Sequence, residues 1–270
     1  MSMTVAATGC QPERFRARGA DASPGALAAR PAPRASRHVR LPAMRILALE
    51  TATLAGSVAL LEGGRVVGLS LLDIALTHSE RLMAMVDRLL QDCRQDITQV
   101  EALTVSIGPG SFTGLRVGVA TAKGLALTLG LPIAAVPTLD ALAGNLPFAE
   151  APVCPILDAR KGEVYLSLYR WSGGRMERQW EYAALSPRAA AERLTAPVVV
   201  LGDGVTACLP FFGHLGAGLL VAPTSHATPS AAVVGRLGQA MLEAGDSIAA
   251  EVLEPLYLRP SEAELKARRS

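Results

Sequence analysis

One turn limits what this chain can fold into more than any other stretch of it. Gly108-Pro109-Gly110-Ser111-Phe112-Thr113-Gly114-Leu115-Arg116 follows an apolar run, Ala102 to Ile107, and leads into a helix-period stretch that ends near Leu129. Its glycines reach backbone angles closed to other residues, so a strand can pass into a helix within a few residues. The first amides of that helix, together with its dipole, would favour an anion. Two readings therefore stand side by side: a phosphate cradle and a tight strand-to-helix turn. The turn is neither a P-loop, which needs Gly-Lys-Ser/Thr, nor the dinucleotide pattern GxGxxG. Ser111 directly follows Gly110, so it is not the serine of a GxSxG elbow either. Gly114, Gly118 and Ala122 recur every four residues and make a smooth helix face that another backbone can approach, a candidate partner interface.

The elements before and after the turn place it in a sheet. Ile46 to Glu50, Ser57 to Leu61 and Arg65 to Leu72 read as three strands joined by short turns, an antiparallel meander. Thr77-His78-Ser79-Glu80 has the capping-box pattern and predicts a helix start. Behind it Leu82, Met85, Val86, Leu89 and Cys93 form one apolar stripe, which reads either as core or as a partner-binding surface. Gly130-Leu131-Pro132 is the expected helix stop. Ile133 to Val136 is a further strand and Thr138 to Asn145 a further helix. The order β-β-β-α-β-α-β-α indicates a mixed sheet flanked by helices. In the second half, Val153 to Leu157, Glu163 to Trp171 and Val198 to Leu201 read as strands, and Pro187 to Leu194 and Pro229 to Ala244 as helices. The pattern breaks near residues 138–150, where Pro137, Gly144 and Pro147 stand.

Composition excludes several classes. At 270 residues and 50% apolar, the chain can bury a core without a disulfide or metal staple. No apolar run reaches the roughly 18–20 residues that span a bilayer. Cys10, Cys93, Cys154 and Cys208 form no CxxC, so the sequence predicts no zinc ribbon or disulfide framework and fits a reducing, cytoplasmic compartment. The formal charge of +2 is uneven: residues 1–43 carry seven arginines against two acids, which leaves about −3 for the remainder. That Arg/Ala/Pro-rich stretch reads as a disordered leader. A direct RNA binder should show a basic stripe or aromatic platforms, and residues 44–270 show neither.

The glycine turn, followed by Ala122-Lys123-Gly124-Leu125-Ala126, resembles the TsaB family, proteins required for tRNA threonylcarbamoyladenosine synthesis and related to the TsaD/Kae-type proteins. Asp158-Ala159-Arg160, Glu163-Val164-Tyr165 and Pro255-Leu256-Tyr257-Leu258-Arg259 extend the likeness from Met44 to the tail. The resemblance implies an α/β actin-like, sugar-kinase-like (ASKHA) fold of two lobes, each a mixed sheet flanked by helices. The expected division is a leader at 1–43, a first lobe at 44–145 and a second at 146–270, with the last helix packing back on the first lobe. It further implies a non-catalytic scaffold that supports TsaD, the catalytic paralogue, with the ATPase TsaE as a second partner. TsaD transfers threonylcarbamoyl from its adenylate to the adenosine beside the anticodon. The isolated chain is expected to form a homodimer, and tRNA to be reached through the complex.

The residues that would carry chemistry depart from the catalytic pattern. The paralogue holds its metal with a His-x-x-x-His pair after the strand that follows the glycine-turn helix. Here Thr138 and Leu142 stand at those places, and a leucine offers no lone pair, so no metal site and no catalytic residue is expected. Actin-like ATPases follow their first strand with an acid and a glycine-bearing turn, whereas this chain has Glu50-Thr51-Ala52-Thr53. No tightly bound cofactor is expected, with ATP or ADP only at the complex interface. Gly202-Asp203-Gly204 is similar to an adenosine-side loop and also reads as a plain turn. Asp158, Arg160, Glu163 and Tyr165 are a candidate polar cluster at the lobe junction, or simply cross-strand partners. The competing readings are an actin-like small-molecule kinase or ATPase, which the two glycine turns would serve, and a metallopeptidase, against which Thr138 and Leu142 speak.

Overall fold

Residues 44–74 and 78–259 are described in the computed structural model, and they belong to one compact unit, Arg40–Ser270. The leader and the capping-box residue Thr77 lie outside the described residues. Strands β1 (Arg45–Glu50), β2 (Gly56–Glu62) and β3 (Arg65–Leu72) make the antiparallel meander, turned between β2 and β3 at Gly63 and Gly64, both with positive φ. Helix α1 (His78–Asp92) follows, then β4 (Ala102–Gly108) parallel to β1, α2 (Phe112–Leu129), and β5 (Ile133–Pro137) parallel to β4. The sheet order is β3-β2-β1-β4-β5. Strand β1 is apolar at successive positions because both its faces are covered. Leu47 and Leu49 point to the core shared with Leu82, Met85, Val86 and Leu89 of α1, while Ile46 and Ala48 point to a separate cluster on the other face. Each such leucine contributes about 1.5–3 kcal/mol of burial. Ser111 caps α2 by accepting from the Gly114 amide at 3.3 Å, and Gly130 ends it in the left-handed conformation.

A short helix, α3 (Thr138–Ala143), carries the chain toward a second sheet. Its strands are β6 (Val153–Arg160), β7 (Glu163–Leu166), β8 (Tyr169–Ser172), β9 (Arg175–Arg178) and β10 (Ala183–Leu185). Helix α4 (Pro187–Glu192), β11 (Val198–Leu201), α5 (Val205–Cys208) and β12 (Leu219–Val221) complete it. The order is β10-β7-β6-β11-β12, with β8 on β6 and β9 on β8. The single strand expected from Glu163 to Trp171 is interrupted at Ser167-Leu168. There the buried Ser167 hydroxyl donates to the Trp180 carbonyl at 2.7 Å, and the Gln179 amide donates to the Leu168 carbonyl at 2.7 Å. A returning segment thus takes the hydrogen bonds that would have continued the ladder.

Helix α6 (Ala231–Glu243) then lies on the second face of the first sheet. It comes close because it carries glycine where it touches: a Cβ on Gly235 would lie within 3.0 Å of Leu61, and one on Gly238 within 3.0 Å of Thr104. Its first amide, Ala231 N, donates to the buried Ser57 hydroxyl at 2.9 Å. The fold is the two-lobed actin-like, sugar-kinase-like α/β architecture, a mixed sheet with helices in each lobe.

Candidate functional site

Open α/β sheets offer ligands the crevice beyond the carboxyl ends of their parallel strands. In the first sheet that place lies after β1 and β4. Strand β1 ends at Glu50, which is fully buried. One carboxyl oxygen, Oε1, accepts from the Ala52 amide at 2.7 Å and from the Ser106 hydroxyl at 3.2 Å, while Oε2 is buried with no hydrogen-bond partner among the described residues. Burial pushes the Glu50 carboxyl up to about 8, and the nearby charge of Asp203 adds to that rise against the two hydrogen bonds. At neutral pH it is mainly the uncharged acid.

The glycine turn meets the turn that follows Glu50. Ser111 N donates to the Ala52 carbonyl at 2.7 Å, and Thr51 Oγ1 donates to the Gly114 carbonyl at 2.8 Å. Cβ atoms on Gly110, Gly114 and Gly118 would each lie within 3.0 Å of Ala52 or Thr51. Gly108 N donates to Thr138 Oγ1 at 3.1 Å, and Pro109 is buried behind it. Of the two readings of this turn, the contacts explain the glycines by close approach of the chain's own backbone. Thr113 and Arg116 remain at the surface, with the Arg116 guanidinium 3.9 Å from the Phe112 ring centroid.

The same burial corrects the candidate partner interface. Leu82, Met85, Val86 and Leu89 are at most 6% exposed and belong to the first-lobe core. Gly114, Gly118 and Ala122 are buried too, facing Thr51 and the same core. An apolar stripe has one period whether it packs inward or outward, and here it packs inward. The outer faces of α1 and α2 instead show Met83, Ala84, Asp87 and Arg88 on one helix and Ala120, Gly124 and Leu127 on the other.

Thr138 and Leu142 lie one turn apart on α3 and are both fully buried, Thr138 against Gly108 and Leu142 in an apolar cluster with Tyr165 and Leu201. Among the described residues no group of three His, Cys, Asp or Glu side chains is placed to hold a metal ion. Between them, Asp140 accepts from the Tyr182 hydroxyl at 2.7 Å and from Tyr169, tying α3 to the second sheet.

The second-lobe cluster divides. Asp158 pairs with Arg160 at 3.1 Å and accepts from its amide at 2.7 Å, holding a hairpin in which Arg160, Lys161 and Gly162 all have positive φ. Glu163 pairs instead with Arg259 of the tail, and Tyr165 is buried, its hydroxyl pushed up by that burial. Asp203 sits on the turn after β11 and accepts from the Asp158 amide at 2.9 Å. Partial burial first, with the Asp158 charge also contributing against that hydrogen bond, holds its carboxyl above the usual range. Gly202 and Gly204 lie against the backbone of Ile156 and Leu157. The sequence did not reveal that the Asp203 charge reaches Glu50 or that Arg259 of the tail pairs with Glu163. Tyr257 and Arg259 were part of a recognisable tail, but no period signalled where it would lie.

Residues 73–267 match the family model "TsaD: tRNA N6-adenosine threonylcarbamoyltransferase". The chain is 36% identical over 227 residues to the tRNA threonylcarbamoyladenosine biosynthesis protein TsaB of Escherichia coli, covering 80% of this chain and 95% of that protein. Against the Bacillus subtilis protein of the same name it is 40% identical over 134 residues, 50% of this chain and 58% of the relative, so that match spans little more than half the relative's length. A Pseudomonas aeruginosa crystal structure described as similar to the peptidase YeaZ superposes with a TM-score of 0.70 at 30% identity, over 80% of this chain and all of that one. The chain therefore belongs to the TsaD/Kae-type family of tRNA threonylcarbamoyladenosine biosynthesis proteins, on its TsaB branch.

Proposed function

We propose that this chain is a non-catalytic subunit of the threonylcarbamoyl-transfer machinery, supporting TsaD while TsaD moves threonylcarbamoyl from its adenylate to the adenosine beside the anticodon. The observation that carries this reading is the contact of Gly110, Gly114 and Gly118 with Thr51 and Ala52. The first-lobe turn, the element best suited to a phosphate, has its glycine face taken by the chain's own backbone. An uncharged Glu50 supplies no charge for a magnesium ion at the same point. Thr138 and Leu142, at the places of the paralogue's histidines, offer one buried hydroxyl and no imidazole.

The role left to such a body is to hold a partner. The exposed ridge of α1 and α2, with Met83 at 50% and Leu127 at 60% exposure, is the surface assigned to TsaD, and it replaces the buried stripe as the interface. The same ridge is the one through which an isolated chain would form a homodimer. TsaE joins the complex as its ATPase, any ATP or ADP sits at the joint interface, and tRNA is contacted through TsaD.

Reconstitution tests this. The chain, TsaD, TsaE, tRNA and the activated donor are mixed and each is omitted in turn. Modification should vanish without this chain and without TsaD, and this chain alone should modify nothing. Modification by this chain without TsaD, or undiminished modification in its absence, would overturn the reading. Tight magnesium-ATP binding by the purified chain would favour the kinase or ATPase instead.

A further inference from the structure

After α6 the chain returns along the first lobe and then crosses to the second. Ile248 N donates to the Ile133 carbonyl at 2.8 Å on β5. Leu253 is buried in the first-lobe core, and Lys123 of α2 donates to the carbonyls of Glu251 at 3.2 Å and Leu253 at 3.1 Å. Leu256 N donates to the Ile107 carbonyl at 2.7 Å, and a Cβ on Gly108, whose φ is +123°, would lie within 3.0 Å of the Leu256 carbonyl oxygen. The tail thus runs over the end of β4, where a ligand of an open sheet would rest. Tyr257 stacks on Phe112 with ring centroids 4.8 Å apart, and Arg116 lies over Phe112 while its Nε donates to the Tyr257 hydroxyl at 3.2 Å.

The next two residues belong to the other lobe. Leu258 packs against the cluster in which α3 meets the second sheet, with Leu157, Tyr165 and Leu201 on its second-lobe side, and Arg259 pairs with Glu163 at the start of β7. Within four residues the chain has two anchors on the first lobe and two on the second. A tail that merely covered one lobe would have no use for the second pair. The lobes are also joined through α3, where Asp140 takes the hydroxyls of Tyr169 and Tyr182. The chain also recrosses from β12 to α6 beside the end of α3, where Asn145 Nδ2 donates to the carbonyls of His226 at 2.9 Å and Thr228 at 2.8 Å. Two crossings side by side act as one joint and permit rotation, whereas a joint apart from them removes that freedom.

We propose that residues 256–259 are an interlobe latch: with α3 as the hinge, Leu256 and Tyr257 on one side and Leu258 and Arg259 on the other hold the crevice between Glu50 and Asp203 at a fixed opening. The latch is a property of this chain and does not depend on which partner it supports.

Hydrogen–deuterium exchange on the full chain tests it. Tyr257→Ala cuts the first-lobe anchor and Arg259→Glu the second-lobe anchor. Either should speed exchange at the crevice segments 50–55 and 202–205 by a factor of about 5 to 30, the range given by a loss of one or two kcal/mol. Adding Glu163→Arg to Arg259→Glu restores an ion pair of reversed sense and should return exchange toward the unmodified chain. If Tyr257→Ala lowers the folded fraction, the charge-reversal pair alone decides. Faster exchange confined to the tail, or no recovery in the reversed pair, would overturn the latch.

Discussion

Each of the two sheets ends in a glycine-bearing turn laid against the backbone of a neighbouring strand or of the turn that follows it. In the first, Gly110 and Gly114 abut the Thr51-Ala52 turn after β1; in the second, Gly202 and Gly204 abut Ile156 and Leu157 of β6. The carboxylates that accompany the two turns live in different media. Among the described residues Glu50 is sealed away with an unpartnered oxygen and no cation beside it, while Asp158 is partly open to water and paired with Arg160. One plan has thus been filled in on one side and left wet on the other. Filling costs charge: a buried acid without a counter-ion keeps its proton.

The largest effect should come from the filled side. Gly114→Val would drive side-chain atoms into the Thr51 carbonyl and Gly118→Leu into the buried Thr51 side chain, so each should lose about 3 kcal/mol or more by urea denaturation, through overpacking. Gly118 therefore reports on the fold of the subunit and cannot serve as a probe of partner binding alone. Gly124, on the same helix, has nothing within 4 Å of a Cβ, and Gly124→Ala should instead stabilise by about 0.5–1 kcal/mol. Equal behaviour of the two sites would remove the packing explanation of the turn.

Those two glycines show what was legible in the sequence and what was not. The strand–turn–helix unit and its stop at Gly130 follow from local chemistry, and the structure has both, adding a cap at Ser111. What Gly114 and Gly118 face does not follow, because a small-residue stripe looks the same against a partner as against the chain's own turn. The stripe from Leu82 to Leu89 was ambiguous for the same reason. In the second lobe, short strands such as β9 and β10 carry too few residues for a period to show, and Ser167 breaks a ladder that the apolar run before and after it conceals. The latch escaped because its contacts are a stack, an ion pair, one backbone bond and one side-chain bond, none of which repeats.

Glu50→Gln should come next in size and carries a sign. The folded protein holds the Glu50 proton up to about 8, against 4.5 for an unperturbed glutamate. The contribution to stability is therefore whole below 4.5 and is lost as pH rises through 8. Relative to the glutamine variant, which has no such proton to lose, the unmodified chain should weaken between pH 5 and 9 by an amount on the order of a few kcal/mol. Parallel melting temperatures of the two across that window would show that Glu50 is ionised in the folded state, and the contrast between the lobes would fail.

His78 works in the opposite direction and more weakly. Its Nε2 lies 2.7 Å from the Thr53 carbonyl and so must donate, which leaves Nδ1 to accept from Arg81 at 3.2 Å. Burial, then the Arg81 charge, hold the imidazole below its ordinary value of 6.5 despite the Thr53 bond. The unfolded chain takes up that proton first, so stability falls as pH drops below 6.5. His78→Ala should cost about 1 kcal/mol near pH 8 through the lost hydrogen bond, and less at pH 5. A cost that grows on acidification would mean that the protonated form is the one the fold prefers.

Asp158→Asn should have the smallest effect, and it sharpens the comparison most directly. An asparagine can still accept from the Arg160 amide, so the left-handed hairpin keeps its cap. What goes is an ion pair whose side chains are 68% and 38% exposed, a contact in the class worth about 0–1 kcal/mol. The loss should stay below about 0.5 kcal/mol, because water screens the pair it removes. The informative readout is Asp203, whose carboxyl is held up partly by the Asp158 charge. Followed by NMR titration, that carboxyl should move down toward the ordinary aspartate range in the variant while Glu50, which owes its rise chiefly to burial, barely moves. If Glu50 fell as far as Asp203, repulsion between acids rather than exclusion of water would govern the first lobe, and the two sides of the crevice would obey the same physics after all.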